Sequence, residues 1–251
     1  MRRVIKLENG NLLVECNISE YEDLIANRLL MFDEAKNYNN YIIINNTETK
    51  YKLFDKIHII DGQIKHTDLY QLINNIISNI INDENNLYIH SAVIYKNGNA
   101  ILLLGDFKTG KTKLCIEAER KGFEILSADQ TWIKYNDGLY VNRGSIYMFM
   151  NHGYRILDSK VKNARITKIV LLLGLSNQKS VNVYDENNKY IKIKNITKFA
   201  TWSTNNVLMT NQDELYLNKK IIHSFIKKIE IPIYYVLGNE SSIIKYMEEN
   251  L

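Results

Sequence analysis

The chain has 251 residues, of which 45% are hydrophobic and 24% charged, the composition of an ordinary globular protein with a sizeable core. A formal charge of +4, spread along the chain, is too small to favour nucleic acid as a partner. The longest apolar runs, such as IVLLLGL, are much shorter than a bilayer span, and the first residues lack the apolar core of a signal peptide. We therefore expect a cytoplasmic protein that engages neither nucleic acid nor a membrane.

The two cysteines predict neither a disulfide framework nor a metal site. Cys16 and Cys115 lie far apart in the sequence and form no CxxC pattern. We expect two buried thiols that behave as small apolar side chains.

Residues 1–84 predict a small mixed α+β lobe. Short strands are indicated at RVIKLE, NLLVEC, YIIIN and KIHIID. ISEYEDLIANRLLMF predicts a helix with Ser19 as its N-cap. HTDLYQLINNIISNIIN predicts a second helix, because its apolar residues recur at three- and four-residue spacing from Leu69 to Ile80. Residues 85–251 are expected to form the main domain.

An antiparallel hairpin is predicted at the start of that domain. LYIHSAVIY and NAILLLG both indicate strands, and Asn97-Gly98 between them is the pair best suited to a two-residue turn. If these two residues form the turn, Lys96 faces Asn99, and continuing the register places His90 opposite Gly105. This position beside the start of the following loop indicates a functional role for the histidine rather than a purely structural one.

The hairpin leads into a phosphate-binding signature, G-x4-G-K-[ST], which is followed by the predicted helix TKLCIEAERKG. Its glycines allow backbone amides to turn towards phosphates, and the helix N-terminus adds positive potential. Lys111 is expected to reach the terminal phosphates, and Thr112 to bind magnesium. The predicted nucleotide-binding residues are Gly105, Asp106, Phe107, Lys108, Thr109, Gly110, Lys111 and Thr112.

A carboxylate follows the next predicted strand, FEILSAD, which we expect beside the loop strand. Asp129 could hold magnesium through water or accept the proton of an attacking hydroxyl. The alternative is a helix N-cap or turn aspartate.

Together these residues resemble the kinase domain of the HPr kinase/phosphorylase family, which is related to phosphoenolpyruvate carboxykinase. They also resemble the HPr-kinase-like peptide serine kinases found with lasso-peptide genes. The resemblance runs from His90 to Ile133 and implies an α/β P-loop kinase core with a hairpin before the phosphate loop. It implies that ATP and Mg²⁺ are used, that Asp129 is the catalytic base and magnesium ligand, and that His90 assists near the transferring phosphate. Arg143, followed by glycine in LYVNRGSIYMF, matches the family's Arg-Gly pair and is a candidate phosphate or substrate contact.

The sequence also departs from that family. Ala128 stands where the family usually has the first of two aspartates, and no glutamate precedes the Arg143-Gly144 pair. The metal ligands are therefore expected to be Thr112, Asp129 and water. No match to the substrate loop of the phosphocarrier enzymes is evident, which argues against that substrate and against a phosphorylase reaction.

The predicted activity is ATP-dependent transfer of the γ-phosphoryl group to a hydroxyl, with serine or threonine of a peptide or small protein favoured, including a ribosomally made peptide precursor. One alternative is a kinase of a small hydroxylated metabolite, which would use the same groups. Another is a nucleotide-sensing protein that binds ATP without turnover. A homo-oligomer is left open.

Overall fold

The computed structural model describes residues 1–150, 153–159, 161, 163–177, 180–186, 188–201 and 212–250, except for the side chains of His66, Phe149 and residues 212–218. The chain divides into two compact units. One comprises Met1–Asn82 and Ser203–Lys219, and the other comprises Asp83–Trp202 and Lys220–Leu251. The predicted division into domains 1–84 and 85–251 stays a prediction. No helix among the described residues is long and apolar enough to cross a membrane.

Within Met1–Asn82, the first unit contains one five-stranded sheet and two helices. Its strands are β1 (Arg2–Ile5), β2 (Leu12–Cys16), β3 (Asn40–Ile44), β4 (Glu48–Leu53) and β5 (Lys56–Asp61), which lie side by side in chain order. Only β2 and β3 pair in parallel, and helix α1 (Ser19–Leu29) lies between them in the chain. The other neighbours pair antiparallel. The sequence did not predict β4, because one of its three buried positions is the polar Thr49 and the positions between them are glutamate and lysine.

The two helices of this unit follow the apolar spacing of the sequence. In α1, Tyr21, Ile25 and Leu29 are buried at four-residue intervals. The prediction that Ser19 caps this helix is wrong, because Ser19 is already helical and the cap position is Ile18, which offers no side-chain acceptor. Helix α2 (His66–Ile81) buries every apolar residue of the predicted face, namely Leu69, Leu72, Ile73, Ile76, Ile77 and Ile80.

The second unit is built on a larger mixed sheet with helices on both faces. Its strands are β6 (Asn86–His90), β7 (Ala92–Lys96), β8 (Asn99–Leu104), β9 (Glu124–Ser127), β10 (Gln130–Tyr135), β11 (Leu139–Gly144), β12 (Tyr147–Met150), β13 (Gly153–Ile156), β14 (Ala164–Leu175), β15 (Asn182–Glu186) and β16 (Ile233–Gly238). The helices that follow α2 in the chain are α3 (Lys111–Arg120), α4 (Lys189–Ala200), α5 (Gln212–Ile226) and α6 (Glu240–Glu249).

The sheet order explains how helices come to cover both faces. The strands lie in the order β6-β10-β11-β14-β8-β7-β9, with β16 and then β15 joined on at β14, while β12 and β13 form a separate pair. Strands β8, β14 and β16 run parallel through the centre. Helices α3 and α6 pack on one face, and α4 and α5 contribute to the core on the other. The result is a three-layer α/β unit.

The tight hairpin β7–β8 has its predicted turn, and its register places Lys96 opposite Asn99 and Ala92 opposite Leu103. Asn97 and Gly98 both have positive φ, at 52° and 87°, as a two-residue turn of this type requires. The predicted continuation to His90 and Gly105 is wrong. The chain leaves the hairpin at Ser91, and His90 instead ends β6, where it lies opposite Gln130 of β10.

Both cysteines are buried free thiols, as the sequence predicts. Burial raises the pKa of Cys115 to about 12 and also raises the pKa of Cys16. Because the thiolate is the reactive form, neither side chain is suited to act as a nucleophile.

Candidate active site

The phosphate-binding signature forms a tight loop between the end of β8 and the start of α3. A Cβ at Gly105 would lie 2.7 Å from Thr109 Oγ1 and 3.1 Å from the Leu172 carbonyl oxygen. A Cβ at Gly110 would overlap the side chain of Leu175, and Gly110 has a φ of 99°. Both positions therefore require glycine, one for space and the other for space and backbone conformation.

The first turn of α3 is suited to binding an anion. The helix begins at Lys111, and its cap residue is Gly110, which has no side chain to accept from the first N–H groups. Unsatisfied N–H groups at a helix N-terminus form a site for phosphate. The loop residues therefore fit a nucleotide's phosphate chain.

Lys111 lies folded against the start of the loop. Its buried Nζ donates hydrogen bonds to the Gly105 carbonyl oxygen at 2.6 Å and the Asp106 carbonyl oxygen at 3.1 Å. Burial lowers the pKa of this lysine, while the nearby carboxylates of Asp129 and Asp106 partly oppose that shift. The ammonium therefore lies within electrostatic reach of the aspartate that the sequence singles out as a base.

His90 and Asp129 face each other beside the loop. His90 Nδ1 lies 3.5 Å from Asp129 Oδ1, with the histidine side chain only 6% exposed and the aspartate 21% exposed. Although His90 is not opposite Gly105, it still lines the same cleft as the loop. The structure thus brings together His90, Lys111 and Asp129, the three residues predicted to be catalytic.

The sequence predicts that β9, the strand before Asp129, lies directly beside the loop strand β8, and this prediction is wrong. Strand β7 lies between β8 and β9, because β7 pairs antiparallel with both. Strands β8 and β9 consequently run in the same direction, and their carboxyl ends meet at one edge of the sheet. Asp129 follows β9 at the edge where the phosphate loop follows β8.

A chain of buried hydroxyls fixes the turn that carries Asp129. Ser91 Oγ donates to Thr131 Oγ1 at 2.7 Å, Thr131 Oγ1 donates to Ser127 Oγ at 2.9 Å, and Ser127 Oγ donates to the Gln130 carbonyl at 2.7 Å. The backbone N–H of Ser91 also donates to the Asp129 carbonyl oxygen at 3.0 Å. The break after His90 and the turn around Asp129 are therefore tied to each other.

Removing the middle hydroxyl should be costly. In Thr131→Val, the Ser91 hydroxyl loses its acceptor and Ser127 loses a donor, so we expect the free energy of unfolding to fall by about 1–3 kcal/mol in urea denaturation. Thr49→Val is the matched control, because Thr49 Oγ1 is buried without a hydrogen-bond partner in the described part of the chain. Equal destabilisation by both changes would contradict a stabilising role for the hydroxyl chain.

The loop, His90 and Asp129 line one open cleft with a volume of about 820 Å³. The residues that line it are His90, Asp106, Phe107, Lys108, Thr109, Gly110, Lys111, Thr112, Lys113, Ile116, Ala128, Asp129 and Met150. A second cavity of about 320 Å³ is lined by Arg165, Lys228 and others at the opposite end of β14, where neither the loop nor Asp129 reaches it.

Arg143 is not among the residues that line the cleft, although it was a candidate contact. It lies on β11 opposite Trp132. Its neighbour Gly144 has a packing role, because a Cβ there would overlap the Leu126 carbonyl and lie 2.5 Å from Ser127 Cβ. Glycine therefore lets β11 pass close to the strand that leads to Asp129.

The protein donors for a metal ion are few. In the part of the chain that the structure describes, no group of three or more His, Cys, Asp or Glu residues is placed to hold a metal ion. Thr112 and Asp129 line the same cleft. This set fits Mg²⁺, which commonly takes one or two protein ligands together with substrate phosphates and water.

One charged residue at the loop is not indicated by the sequence. Lys198 of α4 forms an ion pair with Asp106, with its Nζ 2.6 Å from Asp106 Oδ2. Nothing in the sequence singles out this lysine, because α4 contains several and 92 residues separate the pair. Both side chains are more than half exposed, so the pair contributes little to stability.

The sequence matches no protein-family model and no curated protein. Among solved structures, the fold is similar to the Hpr(Ser) kinase/phosphatase from Coxiella burnetii, with 12% sequence identity and a TM-score of 0.39. The similarity covers 65% of this chain and 94% of that one. It is a distant structural relation.

Proposed function

We propose that the protein is an ATP-dependent phosphotransferase that moves the γ-phosphoryl group to a hydroxyl. The favoured acceptor is a serine or threonine of a peptide or small protein, including a ribosomally made peptide precursor as in lasso-peptide tailoring. The observation that supports this proposal is that His90, Lys111 and Asp129 lie in the same cleft as the phosphate loop. A nucleotide switch also has an aspartate near its magnesium ion, but phosphorylation of a hydroxyl additionally needs a carboxylate that is held in place as a base, and the buried His90 contacts Asp129.

In the proposed reaction, the loop amides and Lys111 hold the phosphates and stabilise the charge on the moving group. The acceptor oxygen forms a bond to the γ-phosphorus while the bond between that phosphorus and the β–γ bridging oxygen breaks. Asp129 accepts the hydroxyl proton and later releases it to solvent. The products are a phosphate ester, ADP and a proton.

His90 acts on the base in this proposal. Its imidazole contacts one oxygen of Asp129 and is almost fully buried, so it holds the carboxylate in place for the acceptor hydroxyl. Mg²⁺, bound through Thr112, Asp129 and the substrate phosphates, would neutralise charge on the phosphates.

A change of His90 to Ala should separate rate from affinity. We expect a fall in kcat on the order of 10²-fold, because a loosely held carboxylate no longer meets the hydroxyl in line with the phosphate. The dissociation constant of ATP, measured by calorimetry, should change less than threefold. His223→Ala, an exposed histidine on α5, is the control and should leave both values unchanged. A loss of ATP affinity equal to the loss of rate would place His90 in nucleotide binding.

The proposed reaction is tested by incubating the purified protein with Mg²⁺ and ATP labelled at the γ-phosphate. One sample receives a pool of serine- and threonine-containing peptides, and another receives a pool of hydroxylated metabolites. Label in the peptides supports the proposal, and label only in metabolites favours a metabolite kinase. Tight ATP binding with no transfer to either pool would identify a nucleotide sensor.

A further inference from the structure

Two large apolar side chains are exposed to solvent inside the cleft. Phe107, at the tip of the phosphate loop, is 74% exposed, and Met150, the last residue of β12, is 36% exposed. Both line the cleft that contains His90 and Asp129. Backbone amides and a lysine hold the phosphates of a nucleotide, whereas a phenylalanine ring has neither a hydrogen-bond donor nor a positive charge to offer them.

The position of Lys111 shows which end of the loop Phe107 occupies. The lysine of this motif reaches the terminal phosphates, and here its Nζ contacts the carbonyls of Gly105 and Asp106 at the start of the loop. Phe107 is the next residue, whereas Thr112, Lys113 and Ile116 line the cleft from helix α3. Phe107 therefore lies at the end of the phosphate chain where transfer takes place.

The acceptor approaches from that same end. In phosphoryl transfer the attacking and leaving oxygens are roughly in line, so the acceptor lies on the side of the γ-phosphate away from the rest of the nucleotide. The nucleobase lies at the opposite end of the phosphate chain. An exposed ring beside the terminal phosphate is consequently placed for the acceptor.

Resting on the proposed function, we propose that Phe107 and Met150 form an apolar subsite for the residue next to the phosphorylated serine or threonine. The substrate is then a peptide with a large aliphatic or aromatic side chain beside the acceptor hydroxyl. Such a side chain covers the phenylalanine ring and removes apolar surface from water. The flexible thioether of Met150 adapts to side chains of different shape. A small, wholly polar metabolite would leave both groups exposed.

The test uses fluorescent ten-residue peptides with one serine, flanked on both sides either by leucine or by glutamine. Binding is followed by anisotropy in the presence of Mg²⁺ and a non-hydrolysable ATP analogue, and kcat/KM is measured with ATP. The wild type should bind the leucine peptide at least tenfold more tightly than the glutamine peptide. With the ATP analogue at a concentration that saturates each variant, Phe107→Ala should reduce this ratio to below threefold, and Phe107→Leu should preserve it.

Phe54→Ala is the matched control, because Phe54 is 49% exposed and belongs to the first unit, whereas the residues named as lining the cleft belong to the second. It should leave the ratio unchanged. The subsite is overturned if the wild type does not discriminate between the peptides, or if Phe107→Ala retains the discrimination. It is also overturned if Phe107→Ala weakens only the ATP analogue, which would place the ring against the nucleobase.

These outcomes are distinct from failure of the proposed function. Phosphorylation of both peptides at equal rates would overturn the subsite while supporting transfer to a hydroxyl. Binding that depends on leucine and Phe107, without transfer from ATP to either peptide, would support the subsite and overturn the phosphotransferase.

Discussion

Replacing Asp129 by Asn is expected to lower kcat for phosphoryl transfer by about 10²–10⁴-fold, the usual contribution of a general base. Asparagine has nearly the same size but cannot accept the proton of the acceptor hydroxyl. Because Asp129 also lies near Lys111, the change should leave the affinity for ATP without Mg²⁺ the same or slightly higher, since Lys111 loses a competing partner. Single-turnover kinetics with saturating ATP would separate the chemical step from binding.

Asp137→Asn is the control for this prediction. Asp137 lines the second cavity, away from the loop, and its φ of 49° is a conformation that asparagine adopts as readily as aspartate. Its variant should transfer phosphate at the wild-type rate. If Asp129→Asn stayed within threefold of the wild type, Asp129 would not be the base.

Lys111→Met should weaken both the binding of ATP and its reaction. The side chain keeps its length but loses the ammonium that the motif directs at the terminal phosphates, so we expect kcat/KM to fall by about 10²–10³-fold, as for loss of a single transition-state donor. Calorimetry should show a larger loss of affinity for ATP than for AMP, because AMP lacks the phosphates that the lysine reaches. The chosen control is Lys121→Met, at the other end of α3, which should bind both nucleotides normally.

The lowered pKa of Lys111 adds a pH dependence to this prediction. Burial makes the ammonium lose its proton at a lower pH than an ordinary lysine does, and the neutral amine attracts phosphate less strongly. ATP affinity of the wild type should therefore fall as pH rises through that lowered pKa. In Lys111→Met the same fall should be absent. An equal affinity for ATP in the variant and the wild type would contradict the role assigned to the lysine.

Local patterns in the sequence were sufficient for the loop and its immediate neighbours. The motif, the Asn97-Gly98 turn and the apolar spacing of α2 each act over a few residues, and the structure has all three at the expected positions. The pairing partners of each strand could not be predicted in the same way. Pairing of β7 with both β8 and β9 joins segments far apart in the chain, and the alternation of side chains along a strand does not identify its neighbours.

The break in strand pairing at Ser91 cannot be predicted from the sequence. LYIHSAVIY is apolar on both sides of Ser91, so nothing local marks the point where the chain moves from pairing with β10 to pairing with β8. The hydroxyl chain through Thr131 and Ser127 depends on that break. The contact of Lys198 with Asp106 likewise depends on tertiary packing, since α4 has no spacing or motif that identifies one lysine among several.

The proposed reaction of this cleft is phosphorylation of a hydroxyl, with Asp129 as the base. Its most direct test is mass spectrometry of candidate precursor peptides encoded beside the gene, after incubation with ATP, Mg²⁺ and either the wild-type protein or Asp129→Asn. We expect the mass of one phosphate on a serine or threonine with the wild type, and at least a hundredfold less product with the variant at equal times. Equal phosphorylation by both proteins, or ATP bound by the wild type without transfer to peptides or metabolites, would contradict the claim.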